Sequence, residues 1–216
     1  MVVAIDGPAG TGKSTVANML ADGLEARDGK PFTYLNSGNL YRAITLGCIR
    51  RGIPVSDTEK VLEYAASAAL DYLDGRVCLD GEAVDDLLHS DEIDKLVSPL
   101  SSIVPVRHVV NGIVRRIAAG LNAVVEGRDM TTVVFPGAEF RFYLDASAGE
   151  RARRRFEQKV SALSREEIEA ALTERDTMDR NKVEGSLRIA EGVFYLDTSY
   201  LTLRQVYDKL RERIQG

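Results

Sequence analysis

The chain has 216 residues, with 28 lysines and arginines against 33 aspartates and glutamates, and a formal net charge of −5 at pH 7. This acidic balance argues against a broad surface for nucleic acid or lipid, so we expect no nucleic-acid or membrane partner. The two cysteines, Cys48 and Cys78, form no C-x-x-C motif and are expected to be reduced thiols. No signal peptide precedes the first strand and no apolar run is long enough to span a bilayer, which favours a cytoplasmic protein.

A glycine-rich loop near the N-terminus dominates the sequence. It follows a β-branched apolar run at residues 2–5, which is typical of a strand buried on both faces. It precedes Val16, Leu20 and Leu24, whose spacing gives a helix one apolar face. The loop fits the pattern G-x-x-x-x-G-K-S and consists of Gly7, Pro8, Ala9, Gly10, Thr11, Gly12, Lys13, Ser14 and Thr15.

This loop predicts a binding site for a nucleoside triphosphate. Its glycines let backbone N–H groups point inward, and the N-terminus of the following helix adds positive potential. Lys13 could then reach the β- and γ-phosphates, and the Ser14 hydroxyl could bind Mg²⁺. The alternative is an ordinary glycine-rich turn, which the filled motif positions and both flanking patterns disfavour.

Four more apolar runs predict buried strands, at residues 32–35, 122–126, 140–144 and 193–196. Asn36 offers a cap for the helix after the second strand, and Thr202 with Gln205 forms a capping box before the last helix. Because helical patterns separate the strands, the sequence predicts an α/β fold with a doubly wound, five-stranded parallel sheet.

Residues 55–98 differ from this alternating pattern. Residues 59–69 predict a helix, and Asp-Gly pairs at 74–75 and 80–81 flank a short apolar run, which is a strong hairpin signal. We interpret the segment as an insert that forms a substrate-binding lobe beside the crevice at the strand ends. The alternative is a structural embellishment without a ligand.

The stretch between residues 151 and 189 is the most basic part of the chain. A charged run on a helix is usually a solvated face. Residues 175–182, however, place charges on every side of a helix, so this segment is expected to have little core to join. It suits a mobile lid whose cations engage phosphates when it closes.

Motifs along nearly the whole chain resemble those of the bacterial cytidylate kinases, a family of P-loop nucleoside monophosphate kinases. They are the glycine-rich loop with Ile5 and Asp6, Ser37-Gly38, Tyr41-Arg42, Gly127-Arg128-Asp129, residues 132–136, residues 151–155, Arg175-Asp176, Asp179-Arg180-Asn181 and residues 196–199. The resemblance implies an adenylate-kinase-like strand order 2-3-1-4-5. It also implies a single domain with its core at residues 1–54, 99–150 and 190–216, a monophosphate-binding insert at about 55–98 and a lid at about 151–189.

The activity implied by the resemblance is ATP-dependent phosphorylation of CMP and dCMP to CDP and dCDP, by direct in-line transfer with Mg²⁺. These nucleotides are then the partners, and we expect a monomer. Two alternatives stay open: a P-loop kinase for another small acceptor such as UMP or AMP, and a nucleotide-dependent switch protein. The switch is disfavoured because the sequence has no N-K-x-D guanine-reading motif.

The resemblance also implies roles for individual residues. Lys13, Arg42 and Arg128 would be catalytic. Arg42 and Arg128 would hold the acceptor phosphate beside Ser37. ATP would contact the glycine-rich loop and three arginines that follow the fourth strand, Arg151, Arg154 and Arg155.

Further residues would bind the nucleoside of the acceptor. Asp129 would read the cytosine edge with Ser98 and Arg107. Arg175 and Asp179 would hold the sugar, and Lys182 would act from the lid. An alternative role for Asp129 is to act on Mg²⁺ through the waters of the metal, since it follows a core strand that would end near the loop.

Four positions depart from the family pattern. Asn36 stands where the family usually has Asp, Thr131 where it usually has Gly, and Ser186 where proline is common. Lys182 occupies the usual site of a lid arginine. A lysine keeps the charge but loses the bidentate fork, which predicts a weaker grip on a phosphate.

Overall fold

The structure is a computed structural model that describes residues 1–26, 29–73, 75–158 and 163–216. The described chain divides into two compact units. Met1–Tyr34 and Leu121–Gly216 form the first, which we call the core unit, and Leu35–Gly120 forms the second, which we call the insert unit. Within the described residues, no helix is both long and apolar enough to cross a bilayer.

A five-stranded sheet organises the core unit. Its strands are β1 (Val2–Asp6), β2 (Phe32–Asn36), β6 (Asn122–Gly127), β7 (Phe140–Asp145) and β8 (Phe194–Asp197). Only the last two residues of its strand β2 are counted with the insert unit. Their order is β2-β6-β1-β7-β8, and β1 pairs in parallel with both β6 and β7, as β7 does with β8. Counted among these five strands alone, the order is 2-3-1-4-5, because three intervening strands belong to a second sheet. The predicted α/β class is confirmed.

The central strands are continuously apolar because both of their faces are covered. Val3, Ala4 and Ile5 of β1 have no exposed surface, and neither do Val124 and Val125 of β6. Helices α1 (Lys13–Gly23) and α8 (Leu203–Gln215) add Val16, Leu20, Val206, Tyr207 and Leu210 to the same core. Burial of each large apolar side chain among these contributes about 1.5–3 kcal/mol to the stability of the fold. This core holds in place the strand ends from which the site is built.

The two remaining helices of the core unit are α6 (Ala148–Glu157) and α7 (Arg165–Arg180). The predicted capping box of Thr202 and Gln205 opens α8, and a second box, of Ser164 and Glu167, opens α7. Residues 175–182 bury no apolar side chain, since Met178 is 40% exposed, but three of their charged side chains are buried. Helix α7 continues to Arg180 and buries Asp176 and Asp179, because buried ion pairs replace the missing apolar stripe.

Four helices and a small antiparallel sheet form the insert unit. The elements are α2 (Ser37–Arg50), α3 (Thr58–Ser67), β3 (Leu70–Leu73), β4 (Arg76–Leu79), β5 (Glu82–Ala83), a 3₁₀ turn at Asp85–Leu87, α4 (Asp91–Leu100) and α5 (Val104–Ala118). Asn36 caps α2 as predicted, because its side chain accepts a hydrogen bond from the N–H of Asn39.

The predicted Asp80-Gly81 turn joins β4 to β5, and both residues have a positive φ. Asp74 of the other Asp-Gly pair and residues 159–162 of the predicted lid lie outside the described residues. Helix α4 was not predicted, although Ser90 caps it and Ile93, Val97 and Leu100 line its buried face.

Gly7 marks the exit of β1 into the glycine-rich loop. Its φ is 147°, and a Cβ atom there would lie 2.0 Å from the carbonyl oxygen of Leu144 on the neighbouring strand β7. Glycine is therefore required by the close approach of two backbones as well as by φ. The loop consequently starts at the carboxyl end of the sheet, where α/β proteins bind ligands.

Candidate active site

The glycine-rich loop joins β1 to α1. Gly10 and Gly12 have φ values of 82° and 88°, and Gly12 caps α1 without a side-chain hydrogen bond. The first N–H groups of a helix have no acceptor within the helix, and the helix dipole is positive at this end. The loop and the first turn of α1 therefore suit a phosphate group.

Lys13 is buried in the first turn of α1. Its ammonium group donates to the carbonyl oxygen of Pro8 at 2.6 Å and to Thr11 Oγ1 at 3.4 Å. Burial lowers the pKa of Lys13 to about 7, with a contribution from the positive charges of Arg128 and Arg175. The negative charges of Glu126 and Asp6 oppose this lowering of the Lys13 pKa, and an anionic ligand would act in the same direction as they do.

The loop fits a magnesium ion that arrives bound to phosphates. The Ser14 side chain is exposed beside the buried Lys13, so its hydroxyl is accessible as one oxygen ligand. Among the described residues, no cluster of three or more acidic, histidine or cysteine side chains could hold a metal alone. Mg²⁺ usually keeps several waters and is bound through one or two protein groups plus substrate phosphates, which matches this donor set.

Asp6, the last residue of β1, ties the loop to the segment after β6. Its buried carboxylate accepts hydrogen bonds from the N–H of Met130 at 2.8 Å, the N–H of Thr131 at 2.7 Å and Thr131 Oγ1 at 2.6 Å. Burial raises the pKa of Asp6 to about 6, although these hydrogen bonds oppose the shift. Thr131, which departs from the family pattern, thus supplies two of the three donors, and one of them is its side-chain hydroxyl.

Asp129 precedes this segment, a π-helical turn at Met130–Val134. It is only 2% exposed, and its negative charge contributes to the raised pKa of Asp6. Asp129 thus lies beside the end of β1, at the carboxyl edge of the sheet. Reading the cytosine edge and acting on Mg²⁺ both stay predictions for this carboxylate.

Asp179, on α7, joins two predicted phosphate-binding cations. Its Oδ2 accepts from Arg128 Nε at 2.9 Å, and its Oδ1 accepts from Lys182 Nζ at 2.7 Å. Burial works to raise the pKa of Asp179, but the charges of Arg128, Lys182 and Arg175 outweigh it and hold the pKa well below its usual range. Asp179 therefore stays ionised and fixes both partners in place.

The predicted ATP-side arginines lie on α6. Arg151 donates to the carbonyl oxygens of Ala146 and Ala9 and to Asp176, each within 3.0 Å. Arg154 donates to Glu150 and to the carbonyl oxygens of Thr11 and Thr198. Arg155 lies half-buried on the same helix. Contact of these arginines with ATP stays a prediction, but two of them already support the loop.

A cleft of about 440 Å³ opens at the carboxyl ends of β7 and β8, beside α6 and α7. Asp145 and Asp197 end the two strands, and Arg151, Asp176 and Arg180 contribute charged groups from the helices. Its volume is within the range of small-molecule sites. The arginine–aspartate pair of Arg151 and Asp176 thus lines a cleft as well as holding the loop.

Within the insert unit, Arg42 of α2 is buried and engaged. Its guanidinium donates to the carbonyl oxygen of Leu88 at 2.9 Å and pairs with Asp94 on α4. Ser37 is buried in the first turn of the same helix. Arg42, which is predicted to hold the acceptor phosphate, is therefore itself held by Asp94, a carboxylate of the same unit.

Arg107 of α5 is also buried in the insert unit. It donates to the carbonyl oxygen of Ser101 at 2.9 Å and lies over the ring of Tyr41, 5.5 Å from its centroid. The hydroxyls of Ser101 and Ser102 bond the carbonyl oxygen of Ser98, a buried residue of α4. Two of the predicted base-reading residues, Ser98 and Arg107, are thus linked through Ser101, which accepts a hydrogen bond from Arg107 and donates one to Ser98.

The predicted site residues divide between the two units. The core unit contains the loop with Lys13 and Ser14, the α6 arginines, Arg128, Asp129, Arg175, Asp179 and Lys182, whereas the insert unit contains Ser37, Arg42, Ser98 and Arg107.

A model of the family described as cytidylate kinase matches residues 3–216. The chain is 42% identical to the cytidylate kinase of Caldanaerobacter subterraneus subsp. tengcongensis, over 99% of this chain and 94% of that protein. It is 43% identical to the cytidylate kinase of Mycobacterium avium, over 100% of this chain and 95% of that protein. The chain belongs to the cytidylate kinase family. As a family member it is a P-loop kinase, and a nucleotide phosphate donor follows from that membership.

Sequence reasoning missed three carboxylates that organise the cations and loops of this family member. Asp6 holds the segment after β6, Asp94 holds Arg42, and Asp176 holds Arg151. The position of Asp6, at the end of a buried strand, was a usable signal. Asp94 gave none, because it lies among charged residues and its partner is distant in sequence. Asp176 belongs to the Arg175-Asp176 motif of the resemblance, but no local pattern indicates its pairing with Arg151.

We expect Thr131→Val to destabilise the protein by about 1.5–3 kcal/mol at pH 8, because it removes a hydrogen bond to a buried, charged Asp6. That bond favours ionised Asp6, so its loss raises the pKa further. A raised carboxyl pKa contributes stability below about pH 4 that is lost as the pH rises through about 6. The difference in unfolding free energy between Thr131→Val and wild type should therefore be largest above pH 6 and should become smaller towards pH 4.

Chemical denaturation across this pH range would measure the effect. Thr131→Ser keeps the hydroxyl and should remain near wild type. A loss of stability in Thr131→Val that is independent of pH would contradict the assignment and indicate packing instead.

Proposed function

We propose that this chain transfers the γ-phosphoryl group of ATP to CMP and dCMP, giving ADP with CDP or dCDP, in the presence of Mg²⁺. The observation that carries the proposal is the buried Lys13 of a glycine-rich loop beside the Arg128–Asp179–Lys182 network, in a chain of the cytidylate kinase family. We also infer that it acts as a monomer in the cytoplasm.

The reaction needs charge compensation more than proton transfer. The second pKa of a phosphate monoester is about 6, so the acceptor phosphate is already mostly a dianion at neutral pH. One of its oxygens attacks the γ-phosphorus, and the bond from that phosphorus to the β–γ bridging oxygen breaks as ADP leaves. The main barrier is the approach of two polyanions in line, which cations offset.

Lys13 and the loop N–H groups would hold the β- and γ-phosphates of the donor. Mg²⁺ held by the phosphates and the Ser14 hydroxyl would neutralise further charge. The side chain of Arg128 is 21% exposed, Asp179 fixes its Nε, and its Nη1 donates to the carbonyl oxygen of Gly127 at 3.4 Å. The guanidinium is thus held in place, and its Nη2 would be the group that meets a phosphate. Preorganised charge of this kind stabilises the transition state without reorganisation during the reaction.

On the acceptor side, Arg42 and Ser37 would bind the monophosphate, and Arg175 and Asp179 the sugar. Arg42 is paired with Asp94, which keeps the guanidinium oriented but offsets part of its positive charge. Lys182 contacts Asp179 at 2.7 Å, which supports a role in holding that carboxylate rather than a direct fork on a phosphate.

Selection of cytosine would depend on Asp129. Cytosine presents an N4 amino donor where uracil presents the O4 acceptor, and an ionised carboxylate only accepts. Asp129 is buried, and a buried polar group rejects a mismatched edge strongly because it would be left unpaired. Ser98 and Arg107 are the further groups proposed for this edge.

Turnover with a panel of monophosphates tests the proposed reaction. With Mg-ATP in excess, CMP and dCMP should release ADP readily, and UMP and AMP should do so much more slowly. Lys13→Ala should abolish this turnover because it removes the cation at the donor phosphates, while calorimetry still detects CMP. Preference for AMP would indicate another acceptor, and ATP hydrolysis independent of any acceptor would indicate a switch.

Asp129→Asn should narrow the preference for CMP over UMP, because an amide can donate to O4. The expected change in the ratio of kcat/KM values corresponds to about 1–3 kcal/mol, the usual value of one good contact to a base edge. Asp22→Asn, at an exposed position of α1, is the control and should not change the ratio.

A role of Asp129 at the metal predicts a different result. Both substrates would slow by the same factor, and added Mg²⁺ would partly restore both. An unchanged ratio across a Mg²⁺ series would therefore rule out base reading by Asp129.

A further inference from the structure

The Arg151 guanidinium is buried at a junction of three chain segments. Its Nε donates to the carbonyl oxygen of Ala146 at 3.0 Å, after β7, and its Nη1 to that of Ala9 at 3.0 Å, in the glycine-rich loop. Its Nη2 pairs with Asp176 on α7 at 2.6 Å. The side chains of Arg151 and Asp176 are each only 4% exposed. Every guanidinium nitrogen is thus committed to the protein.

The backbone of the loop rests directly on α6 at this point. A Cβ atom built on Gly10 would lie 3.1 Å from Arg151 Cβ and 3.4 Å from the carbonyl oxygen of Arg151. The loop therefore approaches α6 more closely than most residues with a side chain could. This packing is a separate observation from the hydrogen bonds of the Arg151 guanidinium. It also places Arg151 directly beneath the loop.

The bond to Ala9 also fixes the direction of an N–H group. In a trans peptide the carbonyl of one residue and the N–H of the next point to opposite sides of the chain. When the Ala9 carbonyl points to Arg151, the N–H of Gly10 points away from α6. Arg154 bonds the carbonyl oxygen of Thr11 at 3.4 Å and so directs the N–H of Gly12 in the same manner.

Asp176 makes this arrangement costly to break. Its Oδ2 is held by Arg151, and its Oδ1 is buried without a hydrogen-bond partner among the described residues. If Arg151 turned towards a ligand, it would leave Asp176 as an uncompensated buried charge. A direct contact of this guanidinium with ATP would require that loss together with the loss of two carbonyl contacts.

We propose that Arg151 is a positioning residue, which holds the glycine-rich loop from the side opposite to its ligand and aims the loop N–H groups at the donor phosphates. Asp176 holds Arg151 in turn, so helix α7 supports the loop through this pair. The proposal rests on the proposed function only in taking the loop as the ATP site, and it departs from the expectation that Arg151 touches ATP.

Hydrogen exchange of the nucleotide-free protein distinguishes positioning from direct contact. In Arg151→Gln, a peptide covering residues 7–14 should exchange faster than in wild type, since the carbonyl anchor of the loop is lost. Calorimetry should show ATP affinity reduced about tenfold to hundredfold, the range expected for a lost hydrogen bond to a charged group. CMP affinity should stay near the wild-type value. Arg153→Gln is the matched control, because Arg153 is exposed on α6 and pairs with Glu150 and Glu157.

Two further variants keep the test decisive. Arg151→Lys retains one nitrogen that can donate a hydrogen bond, so its loop-peptide exchange rate and its ATP affinity should both lie between those of wild type and Arg151→Gln. This variant provides the test if Arg151→Gln does not fold. Asp176→Asn should accelerate exchange of the same peptide, because Asp176 acts on the loop through its hydrogen bond with Arg151.

Reduced ATP affinity with unchanged exchange in Arg151→Gln would overturn the proposal in favour of direct contact. No change in either quantity would overturn it as well. If wild type binds ATP but does not phosphorylate CMP, the proposed function fails, whereas the exchange result still decides the role of Arg151.

Discussion

The pair of contacts that Asp179 makes with Arg128 and Lys182 is the interaction on which the site depends most. Lys13, Arg128 and Arg175 lie near enough to one another that their charges act on the pKa of Lys13, and burial increases the repulsion between them. Asp179, an ionised carboxylate that is 2% exposed, holds one of these three cations, Arg128, and a further cation, Lys182, in fixed positions. Without such compensation the fold could not keep a cation-rich site assembled before an anionic ligand binds.

Buried carboxylates also hold cations and backbone groups in place around the glycine-rich loop. Asp176 and Asp179 are three residues apart on α7 and therefore share a face, yet one holds Arg151 beneath the loop and the other holds Arg128 after β6. Asp6 supports the segment after β6 from the end of β1. Two carboxylates on one face of α7 and one carboxylate at the end of β1 thus position the glycine-rich loop and the cations around it. In the insert unit, Asp94 plays the corresponding part for Arg42.

Local rules were enough to predict the glycine-rich loop, the five core strands, the Asp80-Gly81 hairpin and the capping box of α8, because each depends on neighbouring residues. The burial of three charged side chains near the end of α7, those of Asp176, Asp179 and Lys182, could not be predicted in this way. Asp179 lies 51 residues from Arg128, and Asp176 lies 25 residues from Arg151, so no local pattern reveals that these charges neutralise each other. The role of Thr131 was equally hidden, since its hydroxyl meets Asp6, 125 residues earlier in the chain.

The most direct test of this account compares Asp179→Asn alone with Asp179→Asn combined with Lys182→Met, by chemical denaturation without nucleotide. If Asp179 offsets cation repulsion, the single variant should lose about 3–5 kcal/mol of unfolding free energy, the usual cost of leaving a buried partner uncompensated. The added Lys182→Met should recover part of that loss, because it removes one of the uncompensated charges. A double variant that is no more stable than Asp179→Asn alone would contradict the account, since it would mean that neutralising Asp179 does not leave the charge of Lys182 uncompensated.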